Sequence, residues 1–186
     1  IRSSVFETNS SSSHSLVITT DNEHYTKEEM MSNIYMHKDG TIHIWSEDLE
    51  FYRSPFDILT TFYGKARYAI AASNGNLVAD VQAIFCKYID GFTNFVFDQI
   101  YKSYDDDEMV TDYGGTDDYL IEGWLKKYNI SLEEFLTNKR YVVICDGDEY
   151  CVWDHLKESG LIRTAMIVSD RYSDYWNERR EQWDKQ

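Results

Sequence analysis

Short runs of β-branched and aromatic residues alternate along this chain with longer stretches of helical period, and the two patterns divide it into elements. Residues 15–19, Ser-Leu-Val-Ile-Thr, form a brief apolar run preceded by serines, which predicts a strand buried on at least one face. Two further runs, 34–38 and 41–45, flank Asp39-Gly40, a pair suited to the positive-φ positions of a type I′ turn, and predict a hairpin. The period of two from Thr41 to Trp45 sets Ile42 and Ile44 on one face, with His43 and Trp45 on the other.

Ser54-Pro55-Phe56-Asp57 has the form of a helix start, with a serine cap, proline at the first position and a carboxylate three residues on. Phe56, Leu59, Tyr63, Ala66 and Ile70 then recur at helical spacing to about residue 73, where Asn74-Gly75 supplies a left-handed cap. Leu77, Val81, Ile84, Phe85 and Tyr88 mark a second helix over 76–90, and 92–97 predicts a strand or a helix continued through Tyr101. Helices are predicted over 119–128 and 132–136, the latter opened by a Ser131/Glu134 capping box. Residues 141–145 and 150–153 flank an Asp-Gly turn as a second hairpin, 165–168 reads as a last strand, and 172–183 as a charged, aromatic helix. This order implies an α+β fold, a mainly antiparallel sheet built from hairpins under a layer of two or more helices. One proline, at Pro55, and the lack of a Gly/Ser linker or internal repeat leave no boundary, so 1–186 is expected to be a single domain.

Charge changes the picture more than length does. Against 18 Lys and Arg stand 33 Asp and Glu, for a formal charge of −15, so direct nucleic-acid binding and a polybasic membrane anchor are both disfavoured. Aromatic residues make up 16 % of the chain, enough to expect a folded core at this charge. No apolar run approaches the length of a membrane-spanning helix, and no stretch has the charged, apolar, small-residue order expected of a secretory signal. Three cysteines, Cys86, Cys145 and Cys151, without a CxxC pair fit a reducing cytoplasm rather than a disulfide framework or a zinc site.

Two segments carry candidate chemistry. Thr8, Asn9, Ser10, Ser11, Ser12 and Ser13 could cradle a phosphate with hydroxyl, amide and turn N–H donors, with His14 as acid or base and Glu7 as its partner; the plainer alternative is a set of serine and Asx turns leading into the first strand, with His14 hydrogen-bonded at its edge. The stretch 105–118 carries Asp105, Asp106, Asp107, Glu108, Asp112, Asp117 and Asp118 without a single Lys or Arg, and is expected to be an exposed acidic loop. Tyr113 and Tyr119 interleave its charges, and aromatic side chains of this kind anchor interfaces because they bury much area at small entropic cost. Carboxylates spread over a rigid surface can also occupy the basic groove in which an enzyme holds DNA or RNA.

The remaining candidates have sufficient plain explanations. Cys145-Asp146-Gly147-Asp148-Glu149 gathers three carboxylates, yet without the spacing of a calcium loop, and Asp146-Gly147 is accounted for as a turn. Cys145, inside Val-Val-Ile-Cys, is expected to be buried and inert. His37 and His43 point to opposite faces in the predicted hairpin, while His24 and His155 have no partner at ligand spacing, so neither metal nor cofactor is expected.

The run Val5-Phe6-Glu7-Thr8-Asn9-Ser10-Ser11-Ser12-Ser13-His14-Ser15-Leu16 resembles the N-terminal signature of an uncharacterised family of small proteins encoded by phages and prophages of Gram-positive bacteria, and Tyr141 to Tyr150 resembles that family's late hydrophobic strand with its acidic glycine turn. What the resemblance implies is origin, a phage or prophage protein working in a bacterial cytoplasm. Joined to the charge, it leads to the first expectation: an inhibitor without an active site that binds a basic host protein, a nuclease or other nucleic-acid-binding complex, in the manner of an anti-CRISPR. The alternatives are a nucleotide- or phosphate-binding enzyme using the serine-rich turn, and a structural or assembly protein.

Overall fold

The computed structural model describes residues 13–51, 57–101, 109–114, 120–146 and 165–168. In chain order these form strand β1 (Ser13–Thr19), helix α1 (Lys27–Met31), strand β2 (Thr41–Ile44), a single 3₁₀ turn (Ser46–Leu49), strand β3 (Asp57–Leu59), helices α2 (Phe62–Ala71) and α3 (Val78–Tyr88), strands β4 (Asn94–Phe97), β5 (Gln99–Tyr101) and β6 (Met109–Thr111), helices α4 (Leu120–Tyr128) and α5 (Leu132–Thr137), and strands β7 (Tyr141–Asp146) and β8 (Ala165–Val168). The fold is α+β, with mostly antiparallel strands.

The principal sheet runs β3-β7-β1-β8, each neighbour antiparallel to the next. β1 and β7 lie inside it, which is why Leu-Val in one and Val-Val-Ile-Cys in the other read as unbroken apolar runs rather than alternations; Leu16, Val17, Val142, Val143, Ile144 and Cys145 are all buried. Two small pairs complete the strands, β2 with β4 in parallel and β5 with β6 antiparallel.

α2 is buried almost all round. Thr61 caps it by accepting from the Gly64 N–H at 3.0 Å, and the small side chains of Ala66, Ala69 and Ala71 let its neighbours approach closely. Lys65, within this helix, is wholly buried; its ammonium donates to the carbonyls of Phe135 (2.7 Å) and Asn138 (2.8 Å) at the end of α5, which otherwise have no helical partner. Burial holds that ammonium well below the usual lysine pKa. On the far side, Phe85 of α3 stacks on Phe62 and meets Phe92 and Phe95, joining the helical layer to the β2–β4 pair.

Local signals held where a cap or an apolar period was enough. Asn74 and Gly75 take positive φ after α2, and Ser131 Oγ accepts from the Glu134 N–H at 3.1 Å ahead of α5. Only that half of the expected capping box forms, because Glu134 Oε1 accepts from Asn138 Nδ2 instead (2.8 Å).

Four expectations are corrected. Asp39-Gly40 makes a turn but not a hairpin: only Gly40 has positive φ, Asp39 Oδ1 accepts from the Thr41 N–H and Oγ as an Asx turn, and β2 pairs in parallel with β4. The helix expected from Ser54 begins only at Phe62, because Asp57–Leu59 is captured as an edge strand by β7; Ser54, Pro55 and Phe56 lie outside the described residues. The 141–145 run does not pair as a hairpin arm, since both edges of its 143–145 stretch are already taken, by β1 and by β3. Part of the acidic stretch is strand rather than loop, Met109–Thr111 pairing with Gln99–Tyr101. The 150–153 arm and the 172–183 helix fall outside the described residues, among which no helix is long and apolar enough to cross a membrane.

Candidate interaction surface

His14 is the second residue of β1, opposite Cys145 in register, and it is buried. Its Nε2 lies 2.9 Å from the Phe51 carbonyl and its Nδ1 3.1 Å from the Tyr68 hydroxyl. A carbonyl can only accept, so Nε2 donates to Phe51, while Nδ1 and the Tyr68 hydroxyl share the second bond. Burial, and secondarily the neighbouring Cys145, hold the Tyr68 hydroxyl well above its ordinary pKa, so it remains a donor. Tyr68 also meets His14 and Phe51 edge-on and stacks on Trp124. His14 therefore ties the sheet to α2 and to the chain leaving the 3₁₀ turn. It is hydrogen-bonded near the start of the first strand, and with both ring nitrogens engaged inside the protein it offers none to a substrate in this conformation. Glu7, Thr8, Asn9, Ser10, Ser11 and Ser12 lie outside the described residues; Ser13 opens β1 opposite Asp146.

His24, His37 and Cys145 are also accounted for by structure, and His155 lies outside the described residues. Burial pushes the Cys145 thiol up, away from the thiolate a nucleophile needs. His24 Nδ1 sits 3.2 Å from Thr137 Oγ1, and His37 packs edge-on against Tyr35. Among the described residues no group of three His, Cys, Asp or Glu side chains is placed to hold a metal ion.

A different region gathers the features of an interface. In the β2–β4 pair Ile42, Ile44 and Phe95 face the core, while His43 and Val96, opposite each other in register, face outward. Trp45 follows on that outer side, 53 % exposed, its indole stacked on the His43 ring at 3.8 Å. Asp98, the single residue between β4 and β5, fixes the turn below it: Oδ2 accepts from the Ser46 N–H (2.9 Å) and Oγ (3.2 Å), and Oδ1 lies 3.4 Å from His43 Nε2. The bond from the Ser46 N–H, above all, holds the Asp98 carboxyl below the usual range, so it is ionised at neutral pH. Asp48 Oδ2 accepts from the Trp45 N–H, and Glu47 and Glu50 stand exposed beside it. Val96 and Ile100 are 39 and 52 % exposed, whereas Met109, 41 % exposed and opposite Tyr101 in register, points to the other face of the β5–β6 pair from Ile100.

The acidic run 105–108 joins the paired strands β5 and β6 and, with Asp117, Asp118 and Tyr119, lies outside the described residues. Asp112 and Tyr113 are half-buried and held from within. Asp112 Oδ1 accepts from the Gly114 N–H (2.8 Å), and the Tyr113 ring lies edge-on to Phe97 and so close over Gly75 that a Cβ there would overlap it. Tyr113 is thus a packing residue rather than a free anchor, and the exposed aromatic that sequence reasoning passed over is Trp45. Its signal was present in the alternation that set it beside His43.

Several cations are engaged by carboxylates, one of them, Arg67, at this surface. Lys27 pairs with Asp90, Lys87 with Glu133, Lys139 with Glu29 and Arg67 with Asp48, and Lys65 is buried. Asp21, Glu28, Glu47, Glu50 and Asp80 have no Lys or Arg within ion-pair distance among the described residues. No family model, curated protein or solved structure matches the chain.

Proposed function

We propose that this is an acidic protein of phage or prophage origin that inhibits a host nucleic-acid-processing or defence enzyme by occupying its basic surface, as an anti-CRISPR does, with no active site of its own. What supports it above all is the outer face around Trp45, where exposed apolar side chains are edged by Asp98, Asp48, Glu47 and Glu50 on a chain of net charge −15. A desolvated aromatic anchor surrounded by polar contacts is the usual anatomy of a protein interface. The negative field steers a basic partner toward it and excludes nucleic acid from the same surface.

The test is retention of proteins from a Gram-positive host lysate on the immobilised full chain, elution by a salt step and identification by mass spectrometry. The expected result is a basic nucleic-acid-binding protein in near-stoichiometric amount, from which the free chain displaces bound DNA or RNA. Neutralising Asp105, Asp106, Asp107 and Glu108 to their amides should weaken that binding and reduce its salt dependence. An empty eluate, or a partner whose affinity and salt dependence ignore those four substitutions, overturns it.

A further inference from the structure

Resting on that interface, we propose that the exposed face of Trp45 is the docking point for an arginine side chain of the partner protein. Three observations converge on a guanidinium. The indole is stacked by His43 on one side and is 53 % exposed, which leaves a large π surface open, and tryptophan is the ring on which cations stack best. Two carboxylates are anchored at its base: Asp98 and Asp48 each accept a backbone N–H, from Ser46 and Trp45 respectively, so neither must be ordered when a cation arrives. Asp48 is already paired with Arg67, whereas among the described residues Asp98 meets Ser46 and His43 but no Lys or Arg, and it is ionised beside the His43–Trp45 stack. Val96, across from His43, and Ile100 beyond Asp98 supply apolar surface for the aliphatic stem of a long cationic side chain.

Arginine suits this arrangement better than lysine. Its planar, weakly hydrated guanidinium stacks on an indole while its edge donates to a carboxylate, whereas an ammonium is a compact and strongly hydrated charge. A nucleobase could use the same ring as a stacking platform, but its phosphates would meet Asp98, Asp48, Glu47 and Glu50. Charge therefore selects the basic protein over the nucleic acid.

The experiment measures, by fluorescence anisotropy at low salt, the binding of labelled oligoarginine and oligolysine peptides of equal length to the full chain. The expected result is a preference for oligoarginine of about fivefold. Trp45→Ala should abolish it, Trp45→Phe should keep part of it, and Tyr35→Ala, which removes another exposed ring, should leave it whole; circular dichroism of each variant checks the fold. Equal binding of the two peptides, or a preference that survives Trp45→Ala, overturns the arginine site, while salt-sensitive binding of both peptides still leaves the acidic interface standing. Failure of both peptides to bind removes the interface along with the site. Single-stranded oligothymidine bound tightly through Trp45 also overturns the proposal, in favour of a base-stacking platform.

Discussion

The imidazole of His14 meets Tyr68 edge-on inside the core, whereas that of His43 lies flat against Trp45 at the surface. Both belong to strands, and both have an aromatic neighbour and an oxygen acceptor. The difference lies in what replaces water. His14 has exchanged it for a carbonyl and a hydroxyl held by two other segments, so removing either ring breaks buried hydrogen bonds in the interior. His43 keeps solvent on one side and has a carboxylate at 3.4 Å, so its loss is made good by water. The first pair specifies the fold, and the second is free to meet a partner.

The contrast can be broken most sharply at His14. His14→Ala should cost about 3 kcal/mol, through a cavity and the loss of two buried hydrogen bonds, and lower the melting temperature by about 10 °C, as read by thermal and urea unfolding. A stability close to that of the parent would mean that the clamp is not needed. Tyr68→Phe keeps the ring and removes one donor, at about 1–2 kcal/mol. It should also change the alkaline limb. Because the folded pKa of Tyr68 lies above its ordinary value of 10.0, its contribution is intact below that pH and is lost as the pH climbs through the raised value; the phenylalanine variant should lose less stability there, in urea unfolding as a function of pH.

On the exposed side the effects shrink. His43→Ala should stay within about 0.5 kcal/mol of the parent in the same unfolding assay, and a much larger loss would show that the stack is structural. The smallest change is expected from Asp98→Asn. The folded pKa of Asp98 is depressed, so its contribution is present above the ordinary value of 3.8 and lost as pH falls through the lowered one; the amide should slightly flatten the acid limb, followed by circular dichroism.

What could be read from the sequence follows from the range of the forces involved. α3, α4 and α5 were legible because an apolar period and a cap, such as Ser131, act within a few residues. β3 was not, because Leu59 and Tyr63 fit a helical spacing and the β7 edge that captures Asp57–Leu59 comes far later in the chain. The Asp39-Gly40 turn was real while its hairpin was not, since a turn is decided locally and a strand partner is not. At the surface, the alternation in 41–45 placed His43 and Trp45 together correctly, but Val96 joins them only through a parallel pairing that no local pattern encodes. Tyr113, taken for an anchor, was claimed by Phe97 and Gly75.

The central position of β1 has a consequence for how the protein is made. Its two neighbours, β7 and β8, are the last strands described in the chain, so β1 waits for residues 141–168 to be synthesised before either edge is covered. At ordinary rates of synthesis that delay is roughly 7 to 30 s, during which Leu16, Val17 and Ile18 have no sheet to join. Loop closure over such a separation makes the sheet a late event in folding. Until translation reaches its partners, β1 is an unpaired apolar strand, and the α2–α3 packing, formed from residues 62–88, can precede its pairing.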